Sequence, residues 1–145
     1  MHAARISNEF KFPKLKDKTI AYWLQDPNLN WPVKVISPQQ GASLGATIGS
    51  VVPVRGCVVS AKFVLGRPLL LAERILGMEH GELAKGALLL RLNRLPYTDE
   101  FDLASGYTNV ASNPGYTPGQ GLNQWILTAD VLATVIKIVG PSQSL

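Results

Sequence analysis

The chain predicts a mainly β fold: a single-domain β-sandwich or barrel-like sheet of six to seven strands, with one short helix and an extended N-terminal arm. Three observations carry this. The stretch Ile48 to Leu65, IGSVVPVRGCVVSAKFVL, is the densest run of β-branched residues in the sequence. From Val58 onward it alternates, with Val59, Ala61, Phe63 and Leu65 on one face and Ser60 and Lys62 on the other. That period of two marks a strand with one buried face. Second, 13 Gly and 10 Pro supply the many turns that an all-β or α+β architecture needs. Third, short apolar runs bounded by turn residues recur down the chain, which is how successive strands announce themselves.

In order, Met1 to Lys18 reads as an arm and residues 19–145 as one β-rich domain. The arm interleaves Arg5, Lys11, Lys14, Lys16 and Lys18 with Phe10, Phe12 and Leu15, and Pro13 interrupts any helix. Thr19 to Leu24 (TIAYWL) and Trp31 to Ile36 (WPVKVI) are strand candidates joined as a hairpin, since Asp26, Pro27 and Asn28 between them are turn formers. Ser37 to Gly49 reads as a Gly/Ser/Gln loop. Pro53 and Gly56 interrupt the central run and place a bend or bulge there. Pro68 to Met78 (PLLLAERILGM) predicts the one helix, with Pro68 at its first position and Gly77 or Gly81 ending it. Gly86 to Leu95 predicts a strand with Leu88, Leu90 and Leu92 on one face. Tyr97 to Asn123 is irregular, and Gln124 to Thr128 and Leu132 to Val139 read as two closing strands around Ala129-Asp130-Val131.

Composition narrows the function. Hydrophobic residues make up 46% of the 145 and charged residues only 17%, below the usual quarter. So few charges leave apolar surface for another copy or another protein to cover. The first twenty residues are polar and hold five of the fourteen basic residues, so no signal peptide is read there, and no apolar run is long enough to span a bilayer. Cytoplasmic synthesis and no membrane partner are therefore expected. Cys57, the one cysteine, reads as a small buried hydrophobe within the strand run. Basic residues interleaved with aromatics, as on the arm, can serve single-stranded nucleic acid by charge and stacking, but Glu9 and Asp17 dilute the charge and nucleic acid is not favoured.

The motifs that carry chemistry fail on context. Gly41-Ala42-Ser43-Leu44-Gly45 matches the nucleophile elbow, but the residues after it make a poor helix and His80 is the one downstream histidine. Glu79, His80 and Glu82 offer one imidazole and two carboxylates without a second histidine to complete a metal set. Asp99, Glu100 and Asp102 match no calcium loop. No catalytic, metal or cofactor residue is assigned, and the reading leans away from an enzyme.

The phrases IGSVVPVRGCVVSAKFVL and QWILTADVLATVIKIV resemble strand patterns of small tailed-phage virion proteins, the head-decoration and fibre-base β-sandwiches. The resemblance implies a non-enzymatic structural subunit in a phage head or tail, located in the virion and bound to its own copies or to other virion proteins. It carries no functional residue across. The interface is expected on the arm (Phe10, Lys11, Phe12, Lys14, Leu15) and on the irregular loop (Asp99, Glu100, Asp102, Tyr107, Tyr116), where an extended, basic segment meets an acidic one. Two other classes remain: a small basic toxin-type enzyme acting on RNA or a nucleotide, with Arg55, Arg91, Tyr107 and Gln124 as its site, and a carbohydrate-binding sandwich using exposed Trp or Tyr.

Overall fold

The computed structural model describes residues 16–105 and 123–145. Residues 16–23 form a helix, α1, followed by β1 (Pro32–Ile36), α2 (Pro38–Ser43), β2 (Val51–Ser60) and a 3-10 turn (Ala61–Phe63). The helix α3 (Leu69–Leu76) and the strands β3 (Ala87–Leu92), β4 (Phe101–Ser105) and β5 (Asn123–Val139) complete the order.

The strands run β2-β1-β3-β5-β4, and β2 pairs again with β5. That second pairing closes β2, β1, β3 and β5 into a four-stranded antiparallel barrel, with β4 added outside it along β5. Closure removes the bare edges that an open sheet would present. The length of β5 makes this arrangement workable. Near its start Trp125–Leu127 lies between Val58–Gly56 of β2 and Leu103–Phe101 of β4. Further on, Ala133 and Thr134 lie between Val52 and Val51 of β2 and Leu92 and Arg91 of β3.

Two apolar layers flank the sheet. Inside, Val52, Val54 and Val58 of β2 meet Leu88, Leu90 and Leu92 of β3 and Leu127, Val131, Ala133 and Val135 of β5. Trp23, Phe101 and Trp125 plug one end of this layer, with Trp23 and Trp125 edge-to-face at 4.9 Å and Trp23 5.5 Å from Phe101. Outside, Val33 and Val35 of β1, Leu89 of β3 and Val139 of β5 pack under Leu69 and Ala72 of α3, joined by Leu83 and Leu145. Strands β1 and β3 are thus covered on both faces.

Several expectations hold in this structure. The strands expected at Trp31–Ile36 and Gly86–Leu95 are β1 and β3, Leu88, Leu90 and Leu92 share the inner face, and α3 ends at Gly77. The break expected near Gly56 is a register shift between Val54 and Gly56. Gly56 has φ +82°, a conformation that glycine adopts without strain. Gly86 is needed for another reason: a Cβ there would collide with the carbonyl oxygen of Val139, across the β3–β5 pair.

Others are corrected. Thr19 to Leu24 is no strand and makes no hairpin; it lies in and just after α1, whose Ile20 and Trp23 turn the same way at helical spacing and pack into the core. Lys16 and Lys18, assigned to the arm, also belong to α1. Ser37 to Gly49 is not all loop. Ser37 caps α2 through a reciprocal box, its hydroxyl accepting from the Gln40 amide while the Gln40 side chain accepts from the Ser37 amide, with a proline in the first turn. The strand at Val58 stops at Ser60, and Ala61–Phe63 turns as a 3-10 helix. Val59 and Ala61 are buried as expected, but Phe63 is half-buried, Leu65 is exposed and Ser60 is buried. Pro68 is the cap of α3 rather than its first residue. The irregular stretch from Tyr97 contains β4. Gln124 to Val139 is one strand, since Ala129 and Asp130 sit in a bulge opposite Arg55 and not in a turn. Of the two expected forms, sandwich or barrel-like sheet, the structure is the barrel-like one: among the described residues five strands make a closed four-stranded barrel with one added strand, and three short helices and a 3-10 turn stand where one helix was expected.

Candidate interaction surface

Alternation along β2 and β5 sends Val52, Val54, Val131, Ala133 and Val135 inward. It must therefore send Val51, Pro53 and Arg55, with Asp130, Leu132, Thr134 and Ile136, outward. Register sets these side chains in rows, Val51 opposite Thr134 and Pro53 opposite Leu132, and the Arg55 Nε–H donates to Asp130 Oδ1 at 3.1 Å at the next level. At the far end, the turn carrying Ile48 is held by two backbone bonds to Val135, from the Gly49 amide and to the Ser50 carbonyl. On the β1–β3 side the outer wall is covered by α3; here, among the described residues, it is bare. Val51 is 51% exposed, Leu132 54%, Ile136 46% and Ile48 61%. Scattered exposed aliphatics need no explanation, but four around one two-stranded ribbon make a patch of the kind that partners cover.

Of the residues expected to form the interface, Asp99, Glu100 and Asp102 are described, and they do not lie on this wall. Phe10, Lys11, Phe12, Lys14, Leu15, Tyr107 and Tyr116 lie outside the described residues. Asp99 is exposed. Glu100 is clamped by Arg94, whose two terminal nitrogens donate to its two carboxylate oxygens at 2.6 and 2.9 Å, and the Tyr97 amide donates to it at 2.7 Å. Asp102 pairs at 3.5 Å with Lys16 of the same chain, whose ammonium also lies 5.4 Å from the centre of the Phe101 ring. The expected acidic patch is therefore divided: Glu100 braces the turn from β3 into β4, and Asp102 receives α1.

The hydrogen bonds from Arg94 are the main cause that holds the Glu100 carboxyl below the ordinary carboxylate range, with the Tyr97 amide and the Arg94 charge adding to it and burial opposing it. A lowered folded-state value means stability that is present at neutral pH, above the unfolded value. It is lost as pH falls through the ordinary carboxylate range near ~4.3 and on through the lower folded value. Acid titration of the unfolding midpoint should show it: the wild type is expected to exceed Glu100→Gln at about pH 6, with the gap closing below about pH 4. A gap that stays constant with pH would show the clamp to be energetically silent.

Of the residues of the enzymatic alternative, Arg55 and Arg91 are described, and they serve separate contacts. Arg55 holds Asp130 on the β2–β5 wall, and Arg91 donates to the Pro27 carbonyl and stacks over Trp31. Tyr107 and the Gln124 side chain lie outside the described residues. Ser43 is the last residue of α2, not the start of a following helix, and its hydroxyl donates to the Gln39 carbonyl at 3.1 Å. The elbow geometry is therefore absent, because an elbow places its serine between a strand and the helix that follows. Glu79, His80 and Glu82 stand on the surface between α3 and β3; among the described residues no three His, Cys, Asp or Glu side chains gather as a metal set. The sugar-binding alternative needs exposed Trp or Tyr rings; among the described residues Trp23 and Trp125 are buried, Trp31 is half-covered with its ring N–H donating to the Leu92 carbonyl at 2.7 Å, and Tyr97 is exposed with Arg94 over its ring.

One half-buried amine escaped the sequence reading. Lys34, opposite Leu90 in β1, reaches the bulge in β2, where its ammonium donates to the Cys57 carbonyl at 3.4 Å and would lie 3.7 Å from a side chain at Gly56. Burial pushes its pKa below the ordinary lysine value, against the opposing influence of Cys57 and Glu82. The alternation of WPVKVI already placed Lys34 on the Ile36 face; only the bulge shows why a cation is tolerated there.

Among the described residues no helix is long and apolar enough to cross a membrane. The chain matches no known protein family, no curated protein and no solved structure.

Proposed function

We propose that the protein is a non-enzymatic assembly subunit, which makes protein–protein contacts in a larger particle, and that the particle is a virion, as a component of a phage head or tail. The single observation that carries the assembly reading is the β2–β5 wall, bare among the described residues, where Val51, Leu132 and Ile136 stand about half exposed beside Ile48. Burying one such side chain against a partner is worth roughly 1.5–3 kcal/mol relative to leaving it in water, before association entropy is charged. A chain with 17% charged residues also has little else with which to clothe that wall. The virion part rests on the resemblance of the two strand phrases. In this reading Phe10, Phe12 and Leu15 supply a second set of contacts to a neighbouring chain.

Light scattering on protein resolved by size tests the assembly reading. Full-length protein is expected above the 15.7 kDa of one chain, and Leu132→Asp should weaken association by tenfold or more. The substitution sits on an exposed position and should change folding stability by no more than about 0.5 kcal/mol. Deletion of residues 1–15 separates those contacts from the wall; it stops there because Lys16 packs against Phe101. Monomeric full-length protein at every concentration would sink the reading.

A further inference from the structure

We infer that the β2–β5 wall binds a second copy of the same wall across a two-fold axis running along the ribbon, with Arg55 of each copy facing Asp130 of the other. This rests on the assembly reading and names its partner. An isologous contact needs a patch complementary to itself. This one is, in charge and in register. An axis lying between β2 and β5, parallel to them, sets β2 of one copy over β5 of the other at the same height along the strands. Arg55 then meets Asp130 of the partner subunit, Pro53 meets Leu132 of the partner subunit, and Val51 meets Thr134 of the partner subunit. The pairs that face each other across the axis are those that neighbour each other within one chain.

The charges can make this exchange. Both side chains of the Arg55–Asp130 pair are about three-fifths exposed (62% and 61%), so neither is locked into its own chain. Two opposite charges at one end and aliphatics along the rest also fit the anatomy of a protein interface, an apolar centre with a charged rim that sets register. Face-to-face sheets pack about 10 Å apart with their strands roughly aligned, which suits a ribbon whose outward side chains are of middling size.

A charge-exchange experiment tests the geometry. Arg55→Glu leaves each wall with two negative charges, and Asp130→Arg leaves each with two positive ones. Each variant alone should self-associate at least tenfold more weakly than wild type, because like charges then face each other twice across the axis. An equimolar mixture should restore association, detected by light scattering and by native mass spectrometry of the mixed dimer. Within either variant the pair in one chain is like-charged, so recovery in the mixture reads a contact between copies. Circular dichroism confirms that both variants are folded.

If the protein associates through Leu132 but the mixture stays as weak as its components, or the assembly is a trimer, which has no two-fold axis, the inference fails while the assembly reading stands. If full-length protein is monomeric throughout, both fail.

Discussion

Replacing Trp23 by alanine is expected to destabilise the protein by about 3–5 kcal/mol, the range for truncating a fully buried aromatic side chain. Trp23 is fully buried, it touches Phe101 and Trp125 in the cluster that plugs the barrel, and it anchors α1 to the strands. Its ring N–H is buried without a hydrogen-bond partner among the described residues. That feature makes a second variant informative. Trp23→Phe loses one ring of packing but also removes an unpaired polar group whose burial costs about 1–3 kcal/mol. The phenylalanine variant should therefore lose less than half of what the alanine variant loses in denaturant melts. A phenylalanine loss of more than half the alanine loss would show that removing the N–H brings no compensation.

Glu73→Ala is expected to cost about 3 kcal/mol, by a different mechanism. Glu73 is a buried carboxylate in α3, and its two oxygens accept from the amides of Gly81 at 3.1 Å and Leu83 at 2.6 Å. It closes the 78–86 turn onto the helix and so holds Leu83 in the outer apolar layer. Alanine leaves both amides without an acceptor, one of them beside a fully buried leucine, and hydrogen bonds to a charged group are the costly ones to lose. Glu73→Gln keeps the shape and one oxygen, and should lose about half as much. Native-state hydrogen exchange is the sharper readout: the Leu83 amide should lose protection in both variants, ahead of the strand amides. An unchanged Leu83 exchange rate in Glu73→Ala would refute the clamp.

The sequence was readable where one local signal dominated. The Leu88, Leu90 and Leu92 alternation located β3, and Pro68 with Gly77 bracketed α3 closely because each fixes a backbone conformation. It was misread where two periods coexist. TIAYWL is rich in strand formers, yet Ile20 and Trp23 are three apart and serve one helical face; tertiary burial of Trp23 outweighed the local preference. The helix α2 did carry a legible sign, since Ser37-Pro38-Gln39-Gln40 is a capping box with a proline just inside it. Ala129-Asp130 looks like a turn because a bulge and a turn use the same residues; only the pairing of Thr128 and Val131 to separate neighbours tells them apart. The β2–β5 wall was invisible for a plainer reason. Along Leu132 to Val139 both parities are apolar, so periodicity does not say which side chains the barrel encloses and which it leaves outside.

The barrel is sealed by pairing Val51–Val54 of β2 with Val131–Thr134 of β5, a contact between segments some 80 residues apart. A seam that distant has to draw in a long loop before any of its bonds repay the lost entropy, which places the chain among the slower small domains to reach its native state. The antiparallel β1–β3 wall and α3 can form while β5 is still being synthesised, but the inner leucines of β3 then face water until residue 139 has left the ribosome. During that interval the unfinished barrel exposes an edge as well as a face. The newborn protein is therefore most prone to aggregate just before its last strand closes it.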